Sequence, residues 1–151
     1  MEQKPKPAAT GIRSFDDAIP SAMDWVEDLK RRLGWHDTAM VFLALRATLH
    51  ALRDSLPAAE AVFLGGSMPL LLRGAFYEGW HMRDLPLPLP DQQRFLERIH
   101  EGVDRGLGLD PEQIASSVFA LLAARLAPAE LEDLRAVTPA PLHSLWPAGT
   151  R

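Results

Sequence analysis

The chain has 151 residues, 47% of them hydrophobic and 24% charged, a balance of globular rather than disordered sequence. A domain of that length buries roughly 70% of the surface its unfolded chain exposes and needs no staple; with no cysteine, disulfides, thiolate metal sites and cysteine nucleophiles are excluded. A net charge of −4 argues against a nucleic-acid binder, which needs a basic face to replace phosphate counterions, and no apolar run approaches the ~20 residues of a membrane helix.

Residues 1–20 read as a mobile tail carrying a short helix. The opening MEQKPKPAATG has no apolar h-region of a secretory signal, so a cytoplasmic location is expected. Ser14 stands three residues before Asp17, a helix-start spacing. Phe15 and Ile19 would share one face and dock on the body, with Pro20 closing the piece. Ser21 and Asp24 repeat the start signal, and Ala22, Trp25, Val26, Leu29 and Leu33 follow at helical spacing up to Gly34. The run Lys30-Arg31-Arg32 suits a helix C-terminus, where cations complement the backbone dipole. Asp37 caps the next helix, whose stripe is Phe42, Leu45, Leu49, Leu52 and Leu56, with Arg46, His50 and Arg53 on the opposite, exposed face. Pro57 opens a short helix through Ala61 and Leu64 to Gly65-Gly66. Ser67 is expected to cap a fourth helix with Leu71, Leu72, Ala75 and Phe76 turned inward.

Residues 85–90, Leu-Pro-Leu-Pro-Leu-Pro, forbid a helix and predict a stiff extended connector. The pattern then restarts. Phe95, Leu96, Ile99 and Val103 form one stripe; Asp110-Pro-Glu-Gln113 is a strong helix start; and Val118, Leu122 and Leu126 continue inward. Pro128 opens a helix with Leu131 and Leu134, and Pro139 one with Leu142, Leu145 and Trp146.

At a shift of 70 the halves share Glu27 with Glu97, Leu52 with Leu122, Leu56 with Leu126, Glu60 with Glu130, Leu64 with Leu134, Pro69 with Pro139 and Leu72 with Leu142. The expected architecture is therefore all-α: a tandem duplicated unit of about four helices, residues 21–84 and 91–147, packed as one bundle-like domain with a closing tail at 148–151.

The run LGWHDTAMVFLALRATLHALRDSLPAAEAVFLGGSMPLLLRGAFYEGW, from Leu33 to Trp80, resembles domain-of-unknown-function family 2267, a family of bacterial helical proteins. GIRSFDDAIPSAMDWVEDL is similar to that family's amino-terminal helix, LALRATLHALRDSLP to its long central helix and LLLRGAFYEGW to its most characteristic motif. FLERI, LLAARLAPAELEDLRAVTP and LHSLWP are similar to its second repeat. The resemblance implies a helical fold and a stress association but no reaction. Gly65-Gly66-Ser67-Met68 departs from the more helical, Gln-containing stretch of related sequences.

Two Glu-x-x-His spacings, Glu78 with His81 and Glu97 with His100, match the pairs that build di-metal sites in bundles, with Glu60 and Glu130 as the extra carboxylates. Gly79 and the neighbouring prolines place Glu78 and His81 at a helix end, and both pairs face away from the apolar stripes, so a solvated face is the expected reading. Ser67 in GGSMP lacks the trailing glycine of a hydrolase nucleophile. Neither a catalytic set nor a cofactor motif is read from the sequence. Tyr77, Glu78 and Trp80 gather two amphipathic aromatics and an acid at one helix end, a typical recognition anchor; packing beneath the connector is the competing role. The expected function is a non-catalytic interaction or adaptor module, with an unknown protein partner or self-association. The alternative is a small-molecule or metal-binding protein, an enzyme among the options, using the crevice between repeats.

Overall fold

The structure, a computed structural model, describes residues 9–82, 86–103 and 107–148. Among them the elements are α1 (Arg13–Leu33), α2 (Thr38–Asp54), α3 (Ala58–Gly66), α4 (Leu70–Tyr77), α5 (Gln92–Val103), α6 (Pro111–Arg125), α7 (Pro128–Val137) and a 3-10 helix (Ala140–Leu145), with no strand. The expected all-α class holds. Residues 1–8 of the anticipated tail, residues 83–85 around the start of the connector, residues 104–106 and the last three residues lie outside the described residues.

The polar caps read from the sequence form at two helices. The Asp37 carboxylate accepts from the backbone N–H groups of Ala39 (3.0 Å) and Met40 (3.2 Å), and Asp110 accepts from Glu112 N–H (3.0 Å), satisfying donors that the first turn leaves unpaired. Gly34, at φ 71°, closes α1 by donating to the Lys30 carbonyl, as the left-handed cap requires.

Several expectations are corrected. α1 runs straight through Pro20. Pro20 is exposed, so the carbonyl that its missing N–H leaves unpaired faces water, and the helix bears only the roughly 3 kcal/mol of an interior proline. Thr10 holds the start of α1, donating to the Asp16 carboxylate from both its N–H (2.8 Å) and its hydroxyl (2.9 Å). Phe15 and Ile19 do share a face, but at 58% and 57% exposure they do not dock on the body. Leu71 is likewise exposed. Ser67 caps no helix start; its hydroxyl donates to the Glu130 carboxylate in the first turn of α7 and lies 3.2 Å from the Phe63 carbonyl, while α4 begins at Pro69 without a side-chain cap.

One hydrophobic core runs through both halves. α2 lies at its centre, packed against α1, α4, α5 and α6. α1 leans on α2 and α6, and α5 on α6 and α2, so the first helix of each half rests on the second helix of both. α4 covers α1 and α2 where the 3-10 helix covers α5 and α6, and α3 meets α7. The leucines that pair at the 70-residue shift are buried: Leu52 and Leu122, Leu64 and Leu134, Leu72 and Leu142. Each contributes about 1.5–3 kcal/mol by leaving water. Phe119 meets Phe95 edge-on (6.0 Å) and lies tilted against Trp146 (4.5 Å).

The most extensive pairing, α2 with α5, requires a close approach. A Cβ on Gly102 would sit 2.8 Å from the Ala47 Cβ, closer than packed carbons tolerate. Gly102→Ala is expected to destabilise by roughly 1–3 kcal/mol in urea unfolding through overpacking, despite alanine's better helix propensity. Adding Ala47→Gly should recover part of that loss. Gly74→Ala, on α4 with open space around it, should be neutral or stabilise by up to about 1 kcal/mol.

Candidate functional site

α4 is a short helix, and its last carbonyls have no partners within it. They are met by side chains from the last turns of α2. Arg53, only 4% exposed, donates from Nη1 to the carbonyls of Phe76 (2.8 Å) and Glu78 (2.9 Å). Its Nε and Nη2 hold the Asp54 carboxylate at 2.8 and 3.3 Å. One turn earlier, the His50 Nε2–H donates to the Ala75 carbonyl at 2.7 Å. Burial holds the His50 imidazole below its usual range despite that hydrogen bond, and the charges of Arg53 and Arg46 push the same way. His50 and Arg53, expected on an exposed face, are thus half-buried and buried; they form the C-terminal cap of another helix.

That cap sets the chain's exit from α4. Glu78 leaves the helix, Gly79 turns at φ 71°, and the Trp80 N–H returns to the Tyr77 carbonyl (3.1 Å). Trp80 is thereby laid against Tyr77, their rings stacked at 5.5 Å and 27°. Tyr77 also meets Phe76 edge-on at 5.2 Å and donates its hydroxyl to the Val62 carbonyl on α3 (3.0 Å). A Cβ at Gly65 would overlap that hydroxyl and the ring carbon bearing it, so the glycine makes room for the tyrosine to cross α3. Arg73 closes the same corner, donating to the carbonyls of Gly65 (3.2 Å), Gly66 (3.4 Å) and Met68 (3.2 Å).

The connector is laid onto this corner. Leu87 N–H donates to the Asp54 carbonyl (2.8 Å), and Arg98 of α5 donates to the Pro88 carbonyl (2.8 Å). Of the three residues singled out at the helix end, Tyr77 and Trp80 are half-buried and Glu78 is exposed. The Trp80 indole N–H, itself enclosed, has no hydrogen-bond partner among the described residues.

The two Glu-x-x-His spacings are not brought into one cluster. Glu78 is the C-cap residue of α4 and His81 lies beyond the helix. Glu97 and His100 stand on an exposed face of α5, where Glu97 receives Arg94 at 3.3 Å. Among the described residues no group of three or more His, Asp or Glu side chains is placed to hold a metal ion. Glu60 and Glu130 lie instead in a groove between α3 and α7.

Sequence reasoning missed Arg53 and Asp28. Arg53 falls four residues after Leu49 and three before Leu56, at the edge of the α2 stripe, and that spacing was a readable sign of burial. Asp28, 8% exposed, falls three residues after Trp25. It binds Arg32 (2.9 Å) and, across to α6, Arg125 at 3.0 and 2.9 Å.

In a comparison with protein families, the model described as "Uncharacterized conserved protein (DUF2267)" matches residues 22–145. The chain belongs to the DUF2267 family. No curated protein matches it. The DUF2267 match includes the whole Arg53–α4 corner and both halves of the core. Among the described residues no helix is long and apolar enough to cross a membrane.

Two outcomes follow from the Arg53 cap. Arg53→Ala strands the buried Phe76 carbonyl and the part-buried Glu78 carbonyl and is expected to cost roughly 3–5 kcal/mol in chemical unfolding; Arg53→Lys should lose less without matching wild type, because an ammonium cannot span both carbonyls and Asp54 at once. For His50 the folded value lies below the unfolded 6.5, so on acidification the unfolded chain takes up this proton first. Its contribution to stability is complete above about pH 6.5 and is lost as the pH falls through the lower folded value. Wild-type melting temperature should therefore drop between pH 7 and 5, and His50→Gln should show a shallower drop.

Proposed function

We propose that this DUF2267 protein is a non-catalytic interaction module of the cytoplasm, two duplicated helical units presenting one recognition surface around the α3–α4 turn. The observation that carries this reading is a set of large apolar side chains left in water. Val62, Phe63, Leu70 and Leu71 are 51%, 76%, 52% and 48% exposed, all on α3 and the first turn of α4. Isolated exposed apolar residues are ordinary; several on adjoining elements are the usual mark of a contact surface. The Tyr77 hydroxyl bonds the Val62 carbonyl, so the half-exposed rims of Tyr77 and Trp80 and the exposed Glu78 adjoin this surface. Amphipathic aromatics at the edge of an apolar patch are characteristic interface anchors. The scaffold beneath is tied together: His50 and Arg53 of α2 hold α4, and Arg73 of α4 holds α3, through backbone carbonyls, so the patch is preorganised and binding need not order it.

Cross-linked capture from the native host, comparing wild type with Phe63→Ser/Leu71→Ser and with Glu78→Lys, tests the proposal. All three positions are exposed, so each variant should melt within a few degrees of wild type. The double variant is expected to lose a partner that wild type recovers, and Glu78→Lys to weaken its recovery. If both variants melt normally and keep every partner, the surface is not a recognition surface. If wild type responds instead to a specific small compound with a raised melting temperature, the crevice-binding alternative replaces this one.

A further inference from the structure

The short helices α3 and α7 meet along matching faces. Glu60, Phe63, Leu64 and Ser67 line one wall of a groove, and Glu130, Asp133, Leu134 and Val137 the other. Four positions of each wall follow the i, i+3, i+4, i+7 spacing of a single helix face and pair at a shift of 70 residues, while Ala136 lines the α7 wall without a counterpart. The floor is apolar: Leu64 and Leu134 are buried beneath it. The rim holds three carboxylates and no basic residue. Glu130 accepts the Ser67 hydroxyl, and none of the three forms an ion pair among the described residues, whereas Asp28 and Asp54 are each bound by arginine. On α4, Arg73 is committed to the carbonyls of Gly65, Gly66 and Met68. Beside the carboxylates stands the Phe63 ring, 76% exposed.

Size narrows the occupant. The groove volume is about 290 Å³, at the lower edge of what small-molecule sites offer and suited to one or two side chains. Charge narrows it further. A cation entering here meets three acids, an apolar floor for its stem and an aromatic face within the same groove. Arginine is the side chain that uses all of these, pairing bidentately with a carboxylate, stacking on a ring and laying its methylenes on an apolar surface. We propose that the α3–α7 groove is the docking site for an arginine-anchored, apolar segment of a partner polypeptide. The proposal rests on reading the protein as an interaction module and names the partner chemistry that the module takes.

The test uses the full chain as bait for a random 12-residue peptide phage library, followed by fluorescence titration of the enriched peptides. Enriched sequences are expected to carry an arginine with an apolar residue within four positions. Their affinity should fall at least tenfold in Glu60→Gln/Glu130→Gln/Asp133→Asn, several-fold in Asp133→Asn alone and several-fold between low and high salt. The single variant changes one exposed side chain and keeps the test valid should the triple variant fold poorly. Absence of enrichment, enriched sequences lacking arginine, or affinities unchanged in the folded carboxylate variants would each overturn the proposal. The two readings fail separately. If host partners survive the carboxylate substitutions but are lost from Phe63→Ser/Leu71→Ser, the module stands and the groove assignment falls; if host partners survive both, the module reading falls as well.

Discussion

A buried guanidinium at the end of α2 decides how this chain folds back on itself. α4 is only eight residues long, too short to hold its shape in water without tertiary support, and its carbonyl end points at the body of the protein. Unpaired carbonyls there would each cost a desolvation penalty. Arg53 takes two of them and His50 a third, and Asp54 balances the charge that Arg53 brings inside. Because the backbone of α4 is gripped at its end, the direction of the next residues is set too. Glu78 turns outward, Gly79 reverses and Trp80 returns to stack on Tyr77. The Asp54 carbonyl then receives the connector through Leu87, so one turn of α2 organises the last element of the first half and the link to the second.

A second polar tie joins the halves on another side of the molecule. Asp28 of α1 is held by Arg32 along its own helix and by Arg125 across to α6, and Arg125 also binds Asp24. Burial by itself would push the Asp28 carboxyl up; the hydrogen bonds and charges of Arg125 and Arg32 outweigh it and keep the group below the ordinary carboxylate range. Stability linked to this carboxylate is present above the unfolded value near 3.8 and is lost as the pH falls below it. Asp28 and His50 therefore act in the same direction, each favouring the folded chain at neutral over acid pH, with the His50 window opening below 6.5 and the Asp28 window below 3.8.

The helices were legible wherever a local rule sufficed. Asp37 and Asp110 announce their helices through side-chain oxygens that need only the next turn, and Gly34 stops α1 by its own backbone geometry. The apolar stripes of α2, α5 and α6 follow from spacing. What was not legible depended on distant partners. Nothing near Pro20 shows that α1 will continue past it, because tolerance of the proline depends on which face meets water. Ser67 has the right chemistry for a helix start, yet its hydroxyl is claimed by Glu130, 63 residues away. Arg53 reads as a surface residue by type, and only its partners 23 and 25 residues on show why a charge is buried there. The aromatic corner was legible as residues but not as geometry: Tyr77 was visible, whereas its bond to Val62 and its need for Gly65 require the fold.

The comparison of α3 with α7 separates what packing demands from what it leaves open. Of the four paired positions on the two walls, the leucines that lie in the core, Leu64 and Leu134, are the same residue. The first-turn acids Glu60 and Glu130 also match, and both sit where a carboxylate complements the positive end of a helix. The other two pairs, Phe63 with Asp133 and Ser67 with Val137, differ in polarity and size. Phe63 and Asp133 are exposed, whereas Ser67 and Val137 are partly buried, with Val137 packed against the core, so burial dictates the first of these pairs least. A groove shaped only by folding would tolerate a small polar residue at position 63, and a phenylalanine left 76% exposed there gains little from burial. An aromatic ring on one wall and an added carboxylate on the other is an asymmetry that the core does not require.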